Sequence, residues 1–237
     1  MEKLFYDFHM HSCLSPCGDD DMTPNNMIGM AKLKELDVVA LTDHNSSRNC
    51  PAFLKVAEQN GLLAIPGMEL CTSEEIHVVC LFYNLSDALA FDEYVYSKTP
   101  DIKNDTTAYG NQFIMDSMDN ITGKEEKLLI TAADISLWQV PKLIEEYHGI
   151  AIPAHIDKSA YSILSVLGMF PEDVSFKTAE IFKPQLTDSL IEKHPVLKDM
   201  NIIHDSDAHY LWDISERYNS IEVSEKSVKA ILDKLKA

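Results

Sequence analysis

Short runs of apolar, mostly β-branched residues recur along this chain, each about the length of a strand, and many are separated by stretches of helical spacing. They occupy residues 4–11, 37–42 (DVVALT), 62–66, 76–82, 150–155 (IAIPAH), 178–182 and 201–204. A strand with one wet face alternates apolar and polar side chains. A continuous apolar run marks a strand covered on both faces, as helices cover a parallel sheet. Seven such runs predict an α/β fold, either a β/α barrel or a related parallel sheet; a split α/β sandwich satisfies the same pattern. In these folds ligands gather at the C-terminal ends of the strands.

The intervening segments support this reading. Thr23 followed by Pro24 is a helix start, with the helix continuing to residue 34 or 35. Further helices are expected over 52–59, over 132–147, where Leu137, Val140, Leu143, Ile144 and Tyr147 share a face, and over 227–236. Residues 86–131 are polar and less periodic and predict an excursion: a lid, or a large solvated loop. Tyr94, Tyr96, Tyr109 and Phe113 within it suit either base stacking or ordinary packing. The 237 residues fit one domain with a single buried core.

Histidines and carboxylates interrupt the apolar runs. His9 and His11 close the first, and alternation puts both imidazoles on one side of the backbone, within reach of one metal ion. Thr42-Asp43-His44 ends the second run, Gly67-Met68-Glu69 follows the third, and His155 closes IAIPAH. Asp207-Ala208-His209 repeats the spacing of the first pair. His77 is out of step, because it opens its run; a sharp reversal after Glu69 would return it to the same rim. Burying unpaired imidazoles and carboxylates is costly, and a metal cluster is the economical compensation. Asp43 suits orienting a histidine or taking a proton better than direct ligation.

Taken in order, HMHS, TDH, GMEL, a histidine in an apolar run, PAH and SDAH resemble the PHP (polymerase and histidinol phosphatase) domain family over most of the chain. The resemblance implies a distorted seven-stranded β/α barrel, TIM-barrel-like in plan, carrying two or three divalent ions (zinc, manganese or iron). It implies that His9, His11, Glu69 and Asp207 hold one metal, that Glu69 bridges to a second held by His77 and His155, and that His44 and His209 hold a third. The ninth ligand would come from Ser15-Pro16-Cys17-Gly18-Asp19. Counting forward from the histidines reaches Pro16 or Cys17, and counting back from Thr23-Pro24 reaches Asp19. Asp19 is expected, since a carboxylate matches a site of imidazoles and oxygens, whereas Cys17 would bias it towards zinc.

The implied chemistry is hydrolysis of a small phosphomonoester by a hydroxide bridging the metals. Arg48, Arg217 and Lys158 are candidate phosphate contacts; the first two are the only arginines. A phosphodiesterase or exonuclease acting on short oligonucleotides is the second reading, and a regulatory protein with a structural metal centre the third. The formal charge of -18 opposes a polyphosphate backbone, so a small phosphorylated metabolite or nucleotide is expected as partner and long duplex nucleic acid is not. Five cysteines without a CxxC pair suggest reduced thiols. With no basic leader and no run of about 20 apolar residues, a cytoplasmic protein without a membrane partner is expected.

Overall fold

The computed structural model describes residues 1–237. Strand β1 (Glu2–Asp7) leads to α1 (Pro24–Leu33), β2 (Val38–Leu41), α2 (Cys50–Gln59) and β3 (Leu63–Cys71). A tight reversal gives β4 (His77–Phe82), followed by α3 (Leu85–Lys98), the single turn α4 (Thr106–Tyr109) and the hairpin strands β5 (Phe113–Met115) and β6 (Ile121–Lys124). Next come α5 (Val140–Glu146), β7 (Gly149–Pro153), α6 (Ile163–Leu167), β8 (Thr178–Glu180) and α7 (Thr187–Lys193). The chain closes with β9 (Asn201–Ile203), β10 (Ser220–Val223) and α8 (Val228–Lys236).

The principal sheet has six strands in the order β10-β1-β2-β3-β4-β7. Strands β1 to β3 are parallel. β10 is antiparallel to β1, and β4 is antiparallel to both β3 and β7. β8 and β9 form a separate parallel pair. The Ile156 N–H just after β7 donates to the Glu180 carbonyl of β8 at 2.9 Å, and the segments that follow β1 and β9 are bridged at Met10 and Ala208. The result is a curled half-barrel of six strands with a detached pair, where the resemblance implied a ring of seven.

Both faces of the sheet's inner strands are dry. Leu4, Tyr6 and Phe8 alternate into an inner cluster with Val38, Ala40, Ile65 and Ile152, which Ile231, Leu232 and Leu235 of α8 complete. Val39 and Leu41 face outwards onto Met27, Ile28, Phe53 and Val56 of α1 and α2. Val78, Cys80 and Phe82 pack towards Ala88, Phe91 and Val95 of α3. This double covering is why the strands read as unbroken apolar runs.

Three expectations need correction. The first run stops being a strand at Asp7, so His9 and His11 lie beyond it. The helix expected over 132–147 forms only from Val140, because Ala133 and Ile135 give their backbone groups to Cys71 and Ser73 beside the β3–β4 turn. Residues 86–131 begin with the 14-residue helix α3, capped by Asn84, and its buried Ala88, Phe91, Asp92 and Val95 form a helical stripe. The β5–β6 hairpin beyond it packs beside the loop after β1: the Phe113 N–H donates to the Cys13 carbonyl at 2.9 Å, and the Thr23 hydroxyl donates to Asp119 at 2.7 Å. No helix is long and apolar enough to cross a membrane.

Candidate metal centre

The loops at one end of the sheet converge on Glu69. Its Oε1 lies 3.0 Å from His77 Nδ1, 3.1 Å from His155 Nε2 and 3.2 Å from His9 Nε2. Its Oε2 lies 2.9 Å from His44 Nδ1 and 3.5 Å from His11 Nε2. Asp207 Oδ1 sits 3.1 Å from His11 Nε2, 3.3 Å from His9 Nε2 and 3.6 Å from His209 Nδ1. The His209 ring stacks on His11 with centroids 4.2 Å apart. His77 reaches this rim because β4 runs antiparallel to β3, with Cys71 opposite His77.

Two supporting groups set the tautomers of the first histidine pair. His9 Nδ1 lies 2.7 Å from Glu180 Oε2, and a carboxylate only accepts, so Nδ1 carries the proton and Nε2 is left facing the cluster. The Ser15 hydroxyl donates to Asp43 at 2.7 Å, so it must accept from His11 Nδ1, 3.0 Å away. The two Nε2 atoms then face each other at 3.2 Å, an arrangement that requires a positive charge at the cluster. His44 Nδ1 and Glu69 Oε2, although 2.9 Å apart, are buried and lack an oriented hydrogen bond, as is His155 Nδ1. Within this set His9, His11, Glu69 and Asp207 hold their donor atoms within 4.8 Å of one another, as do His44, Glu69 and His77, and His11, His44 and His209. Nitrogen and oxygen donors with unfilled bonding capacity at this spacing fit divalent metal ions.

The electrostatics of the two carboxylates agree, while the histidines divide, with His44 and His209 raised against the pull of burial by their neighbours. Burial pushes Glu69 upwards, but His77, His9 and His44 outweigh it and hold the carboxyl well below its usual range. Asp207 is likewise pushed up by burial and held well down by His9 and His11. Burial lowers His11 and His77, which favours the neutral imidazole that ligation needs. His9 is raised well above its ordinary value: burial acts downwards, and Glu180, Asp207 and Glu69 overcome it.

Glu180 was not singled out from the sequence. Its only signal was an acidic residue in the middle of the apolar run TAEIF. It serves two ligands, since Oε1 also accepts from the His155 N–H at 3.1 Å. That bond steadies a strained backbone: His155 has φ 30° and Asp207 φ 51°, both in the left-handed region. Asp43 accepts from the Ser12 N–H and from the Ser12 and Ser15 hydroxyls, each at 2.7 Å. Its carboxylate therefore shapes the loop after β1 and, through Ser15, orients His11.

Other expected site residues fall differently. The Asp19 carboxylate accepts from the Asp21 N–H at 2.9 Å within its own turn and is not brought to the cluster. Cys17 is, since it lines the same cavity as His44 and His209. Burial would raise that thiol, but the two imidazoles hold it down to about 6. Gly18 makes the turn possible, because a Cβ there would lie 2.5 Å from the Ser12 carbonyl. Arg48 points away, pairing with Asp92 at 3.4 Å and with Glu125, and covering the Tyr96 ring. Arg217 covers Phe5 and pairs with Glu35 at 3.4 Å, towards the start of β1 and away from the ligand-bearing ends. Lys158 alone of the three cations reaches the site, where it pairs with Asp207 and lies over Phe182.

A cavity of about 520 Å³ opens above the cluster, and Lys158, Tyr161, Phe182 and Lys183 form its outer wall. A family model described as the PHP domain matches residues 7–194. The chain belongs to the PHP domain family. Two curated relatives match a third of this chain: an uncharacterised protein of Methanocaldococcus jannaschii, 33% identical over 86 residues, and the 5'-3' exoribonuclease Rnm of Salmonella typhimurium, 32% identical over 83 residues. The matched stretches span 50% and 27% of those proteins. The lesion-specific endonuclease PfuEndoQ of Pyrococcus furiosus superposes with a TM-score of 0.70 at 18% identity, covering 99% of this chain and 56% of that one. An Endonuclease Q complex with a 27-mer duplex substrate carrying an abasic lesion at the active site gives 0.69, again at 18% identity, over 99% of this PHP chain and 57% of that chain. The family includes metal-dependent hydrolases of phosphoester bonds, among them the exoribonuclease and the endonuclease.

The complex overturns the expectation that long duplex nucleic acid is excluded. Net charge is a property of the whole surface, while the field at a cleft is set by the groups lining it and by any ions bound there.

Proposed function

We propose that the chain is a metal-dependent phosphoesterase acting at the cavity above Glu69. The observation that carries this reading is the set of imidazoles and carboxylates gathered around one shared carboxylate with unfilled bonding capacity. His9, His11, Glu69 and Asp207 would hold one ion, His77 and His155 with Glu69 a second, and His44 and His209 belong to a third. Bound divalent ions would supply Lewis acidity towards the phosphoryl oxygens and lower the pKa of an attacking water. Glu180 and the Asp43–Ser15 pair keep His9 and His11 presenting Nε2. Lys158 and Lys183 take the phosphate charge that the expectation gave to Arg48 and Arg217, while the exposed ring of Tyr161, which stacks on His77 at 4.8 Å, offers a flat face to a base or other planar group.

A cavity of about 520 Å³ suits a nucleotide-sized phosphomonoester. The likeness to an exoribonuclease and to Endonuclease Q favours a second reading, cleavage of a phosphodiester with one nucleotide seated in the same cavity. Zinc-, manganese- or iron-loaded protein should be assayed on nucleoside monophosphates, histidinol phosphate, short single strands of RNA and DNA, and duplexes with and without an abasic site. Monophosphate turnover supports the first reading and strand cleavage the second. No turnover with any metal, or full turnover by the doubly substituted His9→Ala, His11→Ala protein, overturns both.

A further inference from the structure

The structure assigns Cys17 as the ninth ligand: with His44 and His209 it forms one sulfur-containing position that selects zinc, beside two positions of nitrogen and oxygen donors alone. This rests on the reading of the cavity as a metal centre and adds the identity of one ion. Three independent features place the thiol. The Gly18 N–H donates to the Ser15 carbonyl at 2.9 Å, and the Asp19 N–H donates to the His209 carbonyl at 2.9 Å, so the loop is fastened on both sides of Cys17 and tied to the segment that carries His209. The segment before the β5–β6 hairpin packs against the residue preceding Cys17, for a Cβ on Gly110 would lie 2.5 Å from the Pro16 carbonyl, while Cys17 itself stays exposed. His44, only 5% exposed, lines the same cavity as Cys17 and His209, and these two histidines with His11 bring ligand atoms within 4.8 Å of one another.

Cys17 also differs from the other four cysteines. Cys13, Cys50, Cys71 and Cys80 are buried, and none of them lines the cavity, where Cys17 appears with His44 and His209. A thiolate is a soft donor that favours zinc over manganese or magnesium, whereas the Glu69 and Asp207 positions hold the harder donors those ions accept. The centre would therefore be chemically divided, with an outer zinc position and two inner positions open to manganese or iron.

Cobalt substitution of the full chain tests this without reference to turnover. Cobalt(II) bound by a thiolate shows a near-ultraviolet charge-transfer absorption that nitrogen and oxygen ligands do not produce. The expected result is such a band in the wild-type protein, lost in Cys17→Ser and in Cys17→Asp, while the visible cobalt bands of the other positions persist and report that the variants are folded. In parallel, wild-type protein dialysed against excess manganese should keep one zinc per chain, and Cys17→Asp should exchange it. A wild-type protein that binds cobalt without the band, or a band that survives in Cys17→Ser, overturns the assignment. Failure of phosphoester hydrolysis with the band intact would instead count against the proposed function and leave the ligand in place.

Discussion

Two buried charge clusters lie in this chain, and they are built to opposite rules. Around Arg48, every charge has a partner: Asp92 takes the guanidinium together with the Ser46 hydroxyl at 2.8 Å and the Ser47 N–H at 2.7 Å, and Glu125 takes its other arm. Around Glu69, Oε1 is bonded to His155 Nε2 at 3.1 Å, but Oε2 and His44 Nδ1 are left without an oriented partner, and the Nε2 atoms of His9 and His11 face each other at 3.2 Å. The first cluster is finished by protein atoms alone and joins the loop after β2 to α3 and the hairpin. The second keeps bonding capacity open, which the proposed metal ions would fill. A buried polar group is thus structural or functional according to whether its bonding capacity is already used.

Metal removal should separate the two most sharply. Chelation is expected to reduce phosphoester turnover to background and to lower the melting temperature, since ions that bind only the folded state stabilise it by mass action. Re-addition of zinc or manganese should restore both, as followed by calorimetry and metal analysis. Arg48→Met should do the reverse, costing about 3 kcal/mol of stability because it strands Asp92 and Glu125, with metal content unchanged. This cost should shrink as pH falls. Burial already raises the Asp92 carboxyl above its ordinary value, so protonation favours the folded state; that benefit is full below the unfolded pKa and lost as pH rises through the folded one. Urea titrations at several pH values would expose a constant deficit if this account is wrong.

The comparison also explains what could be read from the sequence. Ligands at strand ends were visible because a histidine or carboxylate in an unbroken apolar run is conspicuous, and His77 could be returned to the rim by one reversal. Supporting groups were harder to see. Glu180 is a single acidic residue whose role depends on β8 lying beside His9 and His155, a long-range contact with no local spacing. Helix α3 was obscured because Asp92, a charge, occupies its buried stripe, and Asp92 is there for Arg48. The arginines looked like phosphate ligands by proximity in sequence, and only the fold shows their carboxylate partners. β10 escaped notice because it alternates, with Ile221 and Val223 buried and Ser220 and Glu222 exposed, as an edge strand with one wet face does.

Smaller effects sharpen the boundary between ligand and support. Glu180→Gln keeps the shape but replaces an acceptor-only group, and it should weaken metal binding or turnover by about 10–100-fold, the usual cost of losing a residue that orients a ligating histidine. An unchanged metal affinity, measured by chelator competition, would demote Glu180 to packing. Lys158→Met should raise KM about 10-fold, the loss of one charged hydrogen bond to phosphate, with metal content preserved. A fall in metal content instead would mean that its pairing with Asp207 is structural.

Arg217→Ala tests the limit of the comparison. Its side chain is 46% exposed, and its partner Glu35 is 74% exposed, so the pair belongs to neither buried cluster. Exposed ion pairs are screened by water and salt, and the change should alter stability by no more than about 0.5 kcal/mol, with KM and metal content both unchanged. Its stacking on Phe5 is the one contact that could make the loss larger, through packing rather than charge. Arg217→Met, which keeps much of the apolar stem over that ring, distinguishes the two: equal stability of Ala and Met variants leaves the residue a surface charge, whereas a raised KM in both would bring it back into the substrate site.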